Sequence, residues 1–190
     1  AGSSATSDVI GQSPVGPSPI KNPSKKESEL PKELTIEEIV EIEDKFDDAA
    51  QRVKEAGFDG VEIHSAHGYF LNQFLSPLTN HREDEYGGDI DARIKIHLEI
   101  IRKVRAKVGD DYPIFLRLGA GDNKEGGLTI EDAVYAAKAF ENEGIDVLDI
   151  SGGMCMFFTD DDKAGFFDYL SKPIYEEVAV SYTHLRAHET

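Results

Sequence analysis

Three side chains within six residues carry the most chemistry in this sequence: His64, His67 and Tyr69, in the run Gly60-Val61-Glu62-Ile63-His64-Ser65-Ala66-His67-Gly68-Tyr69. Two imidazole N–H groups converging on one carbonyl oxygen would stabilise the negative charge that develops when hydride adds to the β-carbon of a conjugated substrate. A phenol, protonated at neutral pH, would deliver the matching proton as general acid. Other readings of the same residues stay open. The imidazoles can bond loop carbonyls while the tyrosine packs, or hold zinc, which needs a further ligand that this run does not supply. Glu62 and His64 are also the one tempting pair for a small hydrolase, and they would need a nucleophile from elsewhere.

These residues lie where a strand hands over to a loop. Thr35 and Glu38 form a capping-box pattern at the start of a helix, whose apolar stripe (Ile36, Ile39, Val40, Phe46, Ala49, Ala50, Val53) ends at Gly57. From Gly60 to His64 the period changes to two. The same grammar recurs: a helix over 94–108 leads to a strand over 114–118, and a helix beginning at Thr129 and stopping at Gly144 leads to a strand over 146–150. Repeated strand and helix units imply a parallel sheet.

Glu62 and His64, Phe115 and Arg117, and Asp149 and Ser151 share the parity opposite to the apolar positions. An open doubly wound sheet would be apolar on both faces, whereas a barrel interior near its active end holds polar groups aimed at a ligand. The expected fold is therefore α/β, a partial (β/α)8 barrel with about three strands and four helices, the last over 171–180; a closed barrel takes about 250 residues. Residues 1–34, rich in Gly, Ser and Pro, read as a loop region, 35–180 as the central βα units, and 181–190, which lack an apolar strand pattern, as a non-native tail.

Composition narrows the partners. With 37 acidic against 20 basic residues the formal charge is −17, which repels a phosphate backbone and argues against nucleic acid. No apolar run of about 18 residues suggests a membrane span. Cys155 is the single cysteine, so neither an internal disulfide nor a cysteine-held cluster is expected, and the reading points to the cytoplasm. Asp160, Asp161 and Asp162 read as a solvated acidic loop rather than a divalent-ion site.

The His64/His67/Tyr69 run, followed by Phe74-Leu75-Ser76-Pro77-Leu78-Thr79-Asn80 and Asp84-Glu85-Tyr86-Gly87-Gly88, resembles the Old Yellow Enzyme family of NADH:flavin oxidoreductases, in particular its 2-enoate and dienoyl-CoA reductase branch. The resemblance runs over roughly 14–180. It implies FMN as cofactor, NAD(P)H as electron donor and a small activated alkene as substrate. His64 and His67 then bind the substrate's electron-withdrawing oxygen, Tyr69 protonates the α-carbon, and Arg117 reaches the flavin's pyrimidine edge. An inward ion pair of Arg117 with Glu62 or Asp149 is the alternative for that residue, and the two roles are compatible. Where the family usually continues Ser-Leu-Glu-Asn-Arg after Tyr-Gly-Gly, this sequence reads Asp89-Ile90-Asp91-Ala92-Arg93, a departure expected to touch packing rather than chemistry. The family's other flavin-contacting segments and phosphate site have no counterpart here. The alternative expectation is thus a non-catalytic fragment, for which a homo-oligomer would be a route to completing the site.

Overall fold

The computed structural model describes residues 1–156, 165 and 167–184, the last three by main chain alone; the acidic run 160–162 lies outside the described residues. A 3-10 turn at Gly2–Ser4 precedes α1 (Ser7–Ile10) and the short strands β1 (Val15–Gly16) and β2 (Lys32–Glu33). Then come α2 (Ile36–Glu55), β3 (Val61–Ser65), α3 (Phe70–Leu75), α4 (Ile90–Val108), β4 (Ile114–Gly119), α5 (Ile130–Glu143), β5 (Val147–Ser151), α6 (Asp168–Tyr175) and β6 (Ser181–His184). Strands β3, β4, β5 and β6 form one parallel sheet in chain order. It has four strands rather than the three counted from sequence. The fourth lacks the apolar alternation by which a strand is read, and its backbone pairing Val147↔Ser181 to Ile150↔His184 is a main-chain property.

Local signals set the helix ends. Thr35 closes the capping box on α2, with Thr35 N–H donating to Glu38 at 2.9 Å and Glu38 N–H to the Thr35 hydroxyl at 3.2 Å. Gly144, at φ 111°, gives α5 the left-handed exit that residues bearing a Cβ resist. Asp89 caps α4 through Ala92 N–H, so that helix begins a turn before the expected Ile94. α3 was not anticipated: six residues are too few to show a helical period, and all six are buried.

The outward face of the sheet, Ile63, Ile114, Leu116, Leu118, Leu148 and Ile150, is buried and belongs to one core with Ile96, Ile100, Ala133, Ala137 and Phe140 of α4 and α5. The other face carries Glu62, His64, Phe115, Arg117 and Val147, all at least partly exposed. Helices on one face and polar side chains on the other make a barrel wall. Residues 1–34, read from sequence as loop, add the β1–β2 pairing and a set of buried polar residues, Ser3, Ser4, Ser18 and Asn22. Their partners are remote in sequence, which is why no local pattern announces them.

Candidate active site

The rungs of the sheet decide which functional side chains meet. In register, His64 pairs with Arg117 and Arg117 with Asp149, so these three side chains form one row across the inner face. Glu62 lies two residues back along β3, on the same face. Beyond the end of β3 the chain turns sharply: His67 takes φ 57° and Gly68 φ 65°, a left-handed conformation uncommon for a residue bearing a Cβ.

The surroundings are specific. The His67 N–H donates to the Gly152 carbonyl at 3.0 Å. The Gly68 N–H donates to Asn72 at 2.8 Å, while the Gly68 carbonyl accepts from Ser4, Asn22 and Gln73 at 2.8, 2.8 and 2.7 Å. Clamped this way, the loop brings the His64 ring to 5.4 Å from His67 and 5.2 Å from Tyr69, centroid to centroid. His67 Nε2 lies 2.6 Å from the Ser151 hydroxyl.

Arg117 forms the ion pair that the sequence left as an alternative. Its Nε donates to Asp149 at 2.5 Å, and its terminal nitrogen lies 3.5 Å from Glu62. Burial, then the neighbouring His67 and Arg117, push the His64 pKa down to about 4, against the pull of Asp149. His67 is also lowered, by burial first and by Arg117, with Asp149 opposing. Glu62 is raised by burial, with Arg117 opposing and Asp149 adding. At neutral pH both imidazoles are therefore uncharged, and each presents one N–H. Neutral donors suit a carbonyl oxygen that acquires charge only as the reaction proceeds. Among the described residues no three His, Cys, Asp or Glu side chains converge as metal ligands would.

The family model described as NADH:flavin oxidoreductase / NADH oxidase matches residues 1–169. The chain belongs to this family. It is 49% identical over 144 residues to an NADH oxidase of Thermoanaerobacter brockii, an alignment covering 76% of this chain and 22% of that protein. Among solved structures, a 2-naphthoyl-CoA reductase complexed with 2-naphthoyl-CoA superposes with a TM-score of 0.89 at 30% identity, over 97% of this chain and 31% of that one. The Old Yellow Enzyme homologue from Zymomonas mobilis does so with a TM-score of 0.78 at 28% identity, over 99% and 55%. The chain thus spans between about a fifth and about half of these relatives, and its sheet is an arc of their barrel. FMN and NAD(P)H are the cofactors of this flavin oxidoreductase family.

Two features of the site leave no signal in the sequence. Asp122, fully buried, accepts from the Ser76 hydroxyl at 2.5 Å and from the N–H groups of Leu128 and Met154 at 2.8 and 2.7 Å. It ties the end of α3 to the loops that follow β4 and β5. One aspartate in a glycine-rich loop carries no sequence signal of that role. The hydrogen bond between Ser151 and His67 is the other; strand parity put Ser151 on the inner face, but parity alone names no partner.

In the segment after Tyr86-Gly87-Gly88, the arginine that matches the family pattern joins helices. Arg93 donates to the Leu75 carbonyl at 2.6 Å and to Asp132 at 2.9 Å, joining α3, α4 and α5. Upstream, Asn80 bridges the carbonyls of Phe74 and Tyr86, both at 2.7 Å.

Proposed function

We propose that this chain carries the substrate-polarising face of an FMN-dependent reductase that uses NAD(P)H to reduce an activated alkene. The observation that carries the reading is the cluster of two neutral imidazoles and a phenol at the C-terminal end of β3, with His64 on the row that also holds Arg117 and His67 and Tyr69 on the loop just past the strand. Barrel enzymes place their chemistry at that end of the strands. His64 and His67 donate to the carbonyl oxygen of the substrate, and their hydrogen bonds strengthen as negative charge builds there. Tyr69 gives its hydroxyl proton to the α-carbon. Likeness to the 2-naphthoyl-CoA reductase supports an acceptor conjugated to a carbonyl, a thioester included.

The inner face fits a flavin at its pyrimidine edge. Arg117 places a guanidinium, its side chain 30% exposed, beside His64, where a cation favours the anionic reduced isoalloxazine. At Gly119, two residues further along β4, an added Cβ would fall 2.8 Å from Gly153 Cα, so only glycine lets the end of β4 approach the loop after β5 so closely. When bound, FMN supplies the hydride, and NAD(P)H replenishes it. Arg117 would hold the flavin edge, and the imidazoles and Tyr69 would hold the acceptor.

A second reading is that the chain alone retains no flavin. Among the described residues β3 has a strand neighbour on one side only, and Phe115 and Val147 stay partly exposed on the inner face. Incubation with FMN followed by desalting distinguishes the two. Retained visible flavin absorbance that NAD(P)H bleaches supports catalysis by this chain, and the double variant His64→Ala/His67→Ala should then keep the flavin but lose turnover of an enone. If wild-type protein loses its flavin on desalting, catalysis is confined to a longer polypeptide. Retained flavin with undiminished enone turnover in the double variant would sink the assignment of the two histidines.

A further inference from the structure

We infer that Ser151 is a positioning residue: its hydroxyl donates to His67 Nε2, fixing the neutral ring as the Nδ1–H tautomer, so that Nδ1 is the donor offered to a substrate oxygen. The inference rests on the reading that His67 binds that oxygen. A neutral imidazole has one proton and two nitrogens, and whichever nitrogen accepts a hydrogen bond leaves the proton on the other. The 2.6 Å contact between Nε2 and the Ser151 hydroxyl therefore sets the tautomer, once the direction of that bond is known.

Burial decides the direction. Ser151 is fully buried at the end of β5, and its hydroxyl makes this one hydrogen bond among the described residues. If the hydroxyl accepted from Nε2–H, its own proton would be left inside the protein with no acceptor. If it donates, only lone pairs stay unfilled, which proteins tolerate more readily than an orphaned donor. The main chain reinforces the arrangement. The His67 N–H is held by the carbonyl of Gly152, the residue after Ser151, so backbone and ring of His67 are both anchored on the same corner of β5. That double anchor also accounts for the left-handed backbone at His67, which places the ring against the strand end. Ser151 touches no reacting atom in this scheme; it acts through the imidazole.

The test needs neither flavin nor substrate. Two-bond 15N–1H correlation spectra of the full chain at neutral pH, with His67 assigned by comparison with His67→Gln, report the tautomer from the two ring-nitrogen shifts. Wild-type protein should show Nδ1 protonated and Nε2 unprotonated. Ser151→Ala should lower the preference for Nδ1–H by about tenfold, the factor that corresponds to a hydrogen bond of about 1.4 kcal/mol, and Ser151→Thr should restore it. An Nε2–H tautomer in the wild type would overturn the inference even if no variant folded, and so would a folded Ser151→Ala protein with an unchanged ratio. If the tautomer is as inferred but the His64→Ala/His67→Ala variant still turns over an enone, the functional reading fails and the positioning of the ring stands.

Discussion

Replacing Asp122 by asparagine alters the loop architecture by one atom, and the structure sets the size of the effect. The carboxylate is fully buried with three donors aimed at it: Ser76 and Leu128 share Oδ2, and Met154 N–H reaches Oδ1. An amide has one acceptor oxygen. With that oxygen toward Ser76 and Leu128, the new NH2 faces the Met154 N–H; with the amide flipped, Met154 is satisfied, Ser76 turns to accept, and Leu128 N–H is orphaned. Either orientation leaves one buried amide unpaired, at about 1–3 kcal/mol, and weakens the surviving bonds by removing their charge, so the total loss is about 2–4 kcal/mol. Asp122→Ala, which orphans both amides, should cost more. Urea unfolding should show a lower midpoint with an unchanged slope, and hydrogen exchange should accelerate at Met154 or at Leu128 ahead of the strands. A loss below about 0.5 kcal/mol, or protection lost evenly over the sheet, would refute the view that this carboxylate organises the two loops.

Three further outcomes are expected. Glu43, buried between α2 and α4 and raised to about 7 mainly by burial, with Lys103 opposing and Glu99 adding, is protonated in the folded state where the unfolded chain would ionise it. Stability should fall as pH rises from the unfolded value of 4.5 to about 7, by up to about 3 kcal/mol, and Glu43→Gln should flatten that slope in urea titrations; an unchanged slope would rule the group out. Asp149→Asn removes the charge that holds the pKa values of His64 and His67 up against Arg117, so both imidazoles should titrate lower still by NMR, and a rise would contradict the electrostatics of the row. Gly68→Ala forces a Cβ into a left-handed residue at φ 65° and within 2.7 Å of the Ser24 hydroxyl; it should cost at least about 1–2 kcal/mol by thermal or urea unfolding, and a neutral result would mean the loop relaxes freely.

How much of this was legible in the sequence depended on the range of the forces involved. The α2 capping box, the glycine exits and the period-two runs at β3, β4 and β5 are local, and each read true. Parity along the strands even separated the inner face, Glu62, His64, Arg117, Asp149 and Ser151, from the apolar outer one. What the sequence withheld is long-range and polar. The Gly68 carbonyl is held by Ser4 and Asn22, and the Ser24 hydroxyl donates to the Met154 carbonyl at 2.6 Å across the fold. Serines and asparagines in a Pro-rich stretch look alike whether they are solvated or buried against the loop that carries His67. Strand β6 was missed for a related reason, since pairing through the main chain leaves no mark on side-chain pattern.

The arrangement of charge on the inner face follows from the same asymmetry. Arg117 alone beside two imidazoles would keep them neutral but would leave a partly buried cation uncompensated; Asp149 and Glu62 compensate it. Asp149 in turn would raise the imidazoles toward protonation, yet burial outweighs it at His64 and His67. Neutral histidines beside a compensated guanidinium thus result from burial and Arg117 acting against Asp149, with burial the strongest. A flavin seated over this face would bury the row further, which strengthens desolvation and electrostatic contacts together. The imidazoles should therefore remain N–H donors, not imidazolium ions, across the neutral pH range. A His64 resonance that titrated near its ordinary value of 6.5 in the wild-type chain would remove the basis for that argument.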